Sequence, residues 1–176
     1  TGAWLHHALP LLLAGLSLAI ALAGPNAGVT LRYERAAIVD GQAWRLATGH
    51  LVHLGWSHLA LNLAGLALIW GLFQRQLTTL EWWWAWWVST VTVSAGLFIF
   101  ETDLVWYVGL SGVLHGLFIA GLLLAIRRDF WWGDAALLVI VLGKLAWEQV
   151  HGALPGTAEM AGGDVILAAR LHAALG

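Results

Sequence analysis

Apolar residues run in long blocks along this chain. The stretch from Leu104 to Ile126 holds no charged residue, and residues 46–74 hold no Asp, Glu, Lys or Arg. A helix that crosses a bilayer needs ~20 mainly apolar residues. Six stretches qualify. They lie at about 8–24, ended by Gly24-Pro25, within 50–73, and at about 82–100, 109–126 and 134–151. Lys144 and Glu148 make the fifth more polar, and the sixth starts near Gly162-Gly163-Asp164, with Asp164 as its N-cap. The pattern predicts an all-α membrane protein: a six-transmembrane-helix bundle forming one domain over residues 1–176.

Charge sharpens this picture. The chain is 60% hydrophobic and 10% charged, where a soluble domain carries roughly 25% charged residues. Its mean hydropathy is +0.79. Such a chain cannot cover itself with polar surface, so lipid must cover it. A net charge of −2 implies no nucleic-acid partner, and the absence of cysteine excludes disulfides. Trp82, Trp83, Trp84, Trp86 and Trp87, with Trp131 and Trp132, cluster at ends of apolar runs, where indoles favour the headgroup boundary. The chain opens at Thr1 and closes inside an apolar stretch, as expected of a piece of a slightly longer protein. His6 and His7 receive no role.

Loop charges predict orientation. Arg75 and Arg127-Arg128 follow the second and fourth stretches and should be cytoplasmic by the positive-inside rule. Loops 101–108 and 152–163 carry Glu101, Asp103 and Glu159 without Lys or Arg, which fits the outer side. Both termini then lie inside. Segment 25–49 departs from the rule, with Arg32, Arg35 and Arg45 on the outer side. Tyr33, Ile38, Val39, Trp44 and Leu46 among those arginines predict a structured outer loop lying in the interface between the first two helices. Arg45 is expected to anchor it to headgroups.

Candidate chemistry starts at Ser111, set in Gly109-Leu110-Ser111-Gly112 and followed by His115. From Ser111 to Ile126 is 16 residues, ~24 Å of helix, against a hydrocarbon core of ~30 Å. Ser111 then lies several ångströms below the outer boundary. His58 and His172 each fall ~12 Å in from the outer ends of their helices. His58 and Asn62 share a helix face at i, i+4, and intramembrane polar groups usually face the bundle interior or a water-filled cavity. They can stabilise an oxyanion together with backbone N–H groups at the start of the fourth helix. Gly109 and Gly112 allow close approach of backbone to substrate. The small-residue stripe Gly112, Gly116, Ala120 allows tight helix packing; the sixth helix is expected there, bringing His172 to Ser111 as general base. The blander readings are a serine that back-bonds to a carbonyl and a His58–Asn62 interhelical bonding pair.

These residues resemble the rhomboid superfamily of intramembrane serine proteases. The matching pieces are Trp44-Arg45, His53, His58-x-x-x-Asn62, Gly109-Leu110-Ser111-Gly112 and a histidine in the sixth helix. Trp44 to His50, Trp56 to Asn62, Gly109 to Gly116 and Trp147-Glu148-Gln149 resemble the rhombosortase branch more narrowly. The resemblance implies Ser111 as nucleophile, His172 as base, and His58, Asn62 and the Ser111 N–H as oxyanion stabilisers, with Gly109, Gly112, His115 and His53 supporting. It implies no cofactor and no metal. The partners implied are membrane lipid and secreted or surface proteins with a C-terminal Gly-Gly tail, a transmembrane helix and a basic end. The location implied is the bacterial inner membrane, with the site open to the periplasm. The tail would be cut, with hydrolysis or transfer of the acyl group to an amine-bearing lipid-derived acceptor as outcomes. Rhomboids read Ala-His-x-x-Gly in the last helix, whereas here Leu171 precedes His172 and glycine comes at 176. A shifted register puts Arg170 in the histidine's place, and arginine cannot serve as a base. His115 is expected to stack beneath the base, or else to replace it; His151 is a further spare. Lys144 and Glu148 are expected to pair along their helix; the alternative gives Glu148 to an amine acceptor.

Two rival classes stand beside this reading. His50, His53, His58, His115 and His172 offer imidazoles to a haem or metal, and an inactive relative would bind transmembrane segments without cutting them. A transporter fits poorly, because no repeat is visible.

Overall fold

The computed structural model describes residues 5–151, with side chains for 7–147. Five long helices fill it: α1 (Leu5–Leu22), α5 (Trp56–Phe73), α6 (Thr79–Phe100), α7 (Ser111–Arg128) and α8 (Trp132–His151). Between α1 and α5 lie α2 (Pro25–Leu31), β1 (Tyr33–Glu34), α3 (Arg35–Val39), α4 (Arg45–Thr48) and a 3₁₀ turn at Gly49–Leu51; β2 (Trp106–Tyr107) precedes α7. Helices α5, α6 and α7 are long and apolar enough to cross a membrane. The chain is a multi-pass, all-α membrane protein. The expected sixth helix lies outside the described residues.

Local signals explain the boundaries. Pro25 opens α2, where its missing N–H leaves no partner wanting. Thr78 and Glu81 form a reciprocal capping box at the start of α6. The second span begins at Trp56 rather than near 50, so His58 lies one turn into its helix instead of ~12 Å down. Before it, the 3₁₀ turn at Gly49–Leu51 ends at Val52 in extended backbone, and the Gly49 carbonyl accepts the Gly109 N–H at 3.2 Å.

Helix α7 is central, packed on α5, α6 and α8. Val113, Leu114, Leu117, Leu122 and Ala125 join Leu66, Ile69 and Phe73 of α5, Trp82 and Ala85 of α6 and Leu9 and Leu13 of α1 in one core. A Cβ on Gly112 would meet Val93, and one on Gly116 would meet Ser89, both on α6, while the helix expected against this stripe lies outside the described residues. Small residues let α6 approach α7 closely here. Trp82 departs from the headgroup belt. It is 2% exposed in the core, while Trp84, Trp131 and Trp132 face outward.

At one end of the bundle β1 pairs antiparallel with β2, Tyr33 opposite Tyr107 and Glu34 opposite Trp106. This ties segment 25–51 to the strand that leads into α7. At the other end Arg128 donates to Glu81, joining the last turn of α7 to the first of α6.

Candidate active site

Ser111 is the first residue of α7 and is exposed. No side chain caps this helix start. The first N–H groups of a helix lack intrahelical partners, and its N-terminus carries partial positive charge. The hydroxyl therefore stands beside a helix terminus suited to an anion. Gly109, two residues earlier, has φ +119, a region L side chains rarely adopt. A Cβ there would come within 2.9 Å of the His58 ring. The glycine thus serves both the turn and the approach of imidazole to the Ser111 loop.

His58 enters from the first turn of α5. Its Nδ1 accepts the Leu54 N–H over a long 3.5 Å, which leaves Nε2 as the protonated nitrogen beside Gly109. The His53 ring meets it edge-on, centroids 5.1 Å apart. His53 Nδ1 donates to the Leu51 carbonyl at 3.1 Å, and its pKa is lowered, chiefly by burial and then by neighbouring His58. Asn62 is buried, and its amide donates to the His58 carbonyl at 2.9 Å. That bond stays within the helix and uses one of the two amide N–H donors.

One turn below the serine, His115 Nδ1 donates to the Ser111 carbonyl at 2.8 Å. The same ring's Nε2 lies 3.4 Å from Lys144 Nζ on α8. The expected partner of Lys144 along its helix, Glu148, has its side chain outside the described residues, as do His151 and the whole of Arg170 and His172.

Tyr107 was not anticipated from the sequence. Its hydroxyl donates to the Gly109 carbonyl at 3.1 Å and interacts with the Ser111 side chain and the Gly112 backbone. Burial raises its pKa, and those two interactions oppose the rise. The available cue was a phenol two residues before a glycine turn, which carries little information without the β1–β2 pairing.

A second serine–histidine pair lies beside this one. His50 Nε2 is 2.9 Å from Ser94 Oγ, and Ser94 donates its own proton to the Leu46 carbonyl. His50 must then donate to Ser94, the reverse of what a base does. His50 is buried, and burial lowers its pKa to about 4. Tyr107 packs edge-on against its ring.

Arg45 does not reach for headgroups. It is 7% exposed. It donates to the Val29 and Arg32 carbonyls at 3.0 and 2.9 Å and to Gln42 at 2.8 Å. Its guanidinium fork satisfies carbonyls at the end of α2, which fixes the segment facing the site. Among the described residues no three of His, Asp and Glu gather as a metal site.

The structure thus places the exposed Ser111 at the start of α7, beside a glycine turn packed on the His58 imidazole. Residues 40–171 match the Rhomboid domain. The chain belongs to the rhomboid family, whose members are generally intramembrane serine proteases. No curated protein matches the chain, and no solved structure does.

Proposed function

We propose that this protein is an intramembrane serine protease of the rhombosortase type, acting on secreted or surface proteins with C-terminal Gly-Gly transmembrane tails. The observation that supports it most is Ser111 at the uncapped start of α7 with the His58 imidazole packed on Gly109. In this reading Ser111 Oγ attacks the scissile carbonyl carbon and its proton passes to His172. The oxyanion is held by His58 Nε2–H, Asn62 and the Ser111 N–H. His172 then protonates the departing amine of the tail. Water releases the acyl group, or an amine-bearing lipid-derived acceptor takes it, with Glu148 holding that amine. The bundle has six spans in the inner membrane, and the Ser111 end opens to the periplasm.

The test is to incubate purified protein with a Gly-Gly-tailed transmembrane substrate and weigh the new C-terminus by mass spectrometry. A new terminus at or beside the Gly-Gly motif, lost in Ser111→Ala, is the expected result. Cleavage that persists in Ser111→Ala removes the assignment. Persistence in His172→Ala moves the base elsewhere, and an unchanged ratio of transfer to hydrolysis in Glu148→Gln removes its role.

A further inference from the structure

Lys144 is a half-buried lysine in the interior of α8, about two turns from the helix end at His151. A partly buried ionisable group on an apolar helix is expensive to leave without partners. Its ammonium lies 3.4 Å from Nε2 of His115. An ammonium has donors only, so this nitrogen must be the unprotonated one. The other nitrogen of the ring faces the Ser111 carbonyl at 2.8 Å, where it can only donate. The two contacts require the same tautomer. They leave His115 neutral, with both nitrogens engaged and neither available to the Ser111 hydroxyl.

We infer that Lys144 is a positioning residue of the Ser111 site. It locks His115 as the Nδ1–H imidazole, and that ring holds the Ser111 carbonyl at the first turn of α7. This rests on the protease reading for its effect on rate but not for its effect on the ring. It also means that His115 orients the serine's turn and does not replace the base.

The test joins ¹⁵N spectra of the His115 ring, assigned by difference with His115→Phe, to the rate of Ser111 labelling by a fluorophosphonate in the full chain. Wild type should show a neutral ring protonated at Nδ1, and Lys144→Met should shift its Nε2 signal. Labelling should fall roughly tenfold in Lys144→Met, as expected for loss of one charge-assisted hydrogen bond. Lys144→Arg should restore most of it. On a His115→Phe background Lys144→Met should add nothing further, because the lysine acts through that ring. Unaltered His115 nitrogen signals in Lys144→Met, or a full additive loss in the double variant, would overturn the inference. If wild type is not labelled at all, the protease reading falls, and the nitrogen signals alone decide the role of Lys144.

Discussion

Two serines lie near imidazoles at the same end of this bundle, and their hydrogen bonds point in opposite directions. Ser94 sits 4% exposed inside α6, gives its proton to the Leu46 carbonyl and receives one from His50. Each proton has one acceptor, and nothing in the arrangement asks the hydroxyl to react. Ser111 is exposed at a helix start whose N–H groups have no side-chain cap. Its neighbouring rings are engaged elsewhere: His115 with the Ser111 carbonyl and Lys144, His58 through Nδ1 with Leu54. The first pair shows how a membrane protein makes a buried hydroxyl inert. The second shows one left accessible at a helix start, with the Tyr107 oxygen beside it. A short serine–histidine distance is therefore a poor guide to reactivity here; the direction of each proton is a better one.

Breaking each serine separates the two most sharply. Ser111→Ala should lower cleavage by ~10³-fold or more, the loss typical of a missing nucleophile, and should abolish fluorophosphonate labelling, read by gel fluorescence. His58→Ala should slow cleavage roughly 10²–10³-fold, as removal of an oxyanion donor does. In kinetics with a tailed substrate the loss should fall on kcat; a change confined to KM would assign His58 to substrate binding instead. Ser94→Ala strips the acceptor from a buried imidazole N–H, which costs about 1–3 kcal/mol. A thermal melt in detergent should register this loss, while the folded fraction keeps its labelling at Ser111. Loss of labelling without loss of stability would mean that the inert pair had been misassigned.

The smallest effect is on pH. Burial lowers the pKa of His50 to about 4 from a reference of 6.5. The unfolded chain therefore takes up a proton that the folded one refuses as pH falls from about 6.5 to about 4. Stability should decline through that window and be flat above it, and His53 is shifted the same way. Substituting His50 with Phe should flatten the acid side of a melting-temperature profile; an unchanged slope would place the titration at other groups.

Much of this was legible in the chain, for identifiable reasons. Charge-free apolar runs announce spanning helices because no water is present to satisfy an exposed backbone in lipid. Pro25 and the Thr78–Glu81 box mark helix starts through local chemistry alone. Ser111, His58 and Asn62 stood out because polar groups are expensive at such depth. Harder to read was everything set by a contact between distant segments. Arg45 looked like a headgroup anchor until the fold wrapped the end of α2 around it. Trp82 looked interfacial and is core. The start of α5 lies beyond a 3₁₀ turn whose Gly49 carbonyl meets Gly109.

By itself, then, the order of residues determined that this protein lives in lipid, which stretches are helical, and that a hydroxyl between glycines begins one of them. Composition and near-neighbour hydrogen bonding suffice for that, since both act within a few residues. Tertiary structure decided that α6 meets the glycine stripe of α7, that Tyr107 reaches Ser111, that Lys144 faces His115, and which serine is left exposed. Those outcomes depend on which donor meets which acceptor across helices, and a side chain's spacing along the chain carries no record of its partner in space.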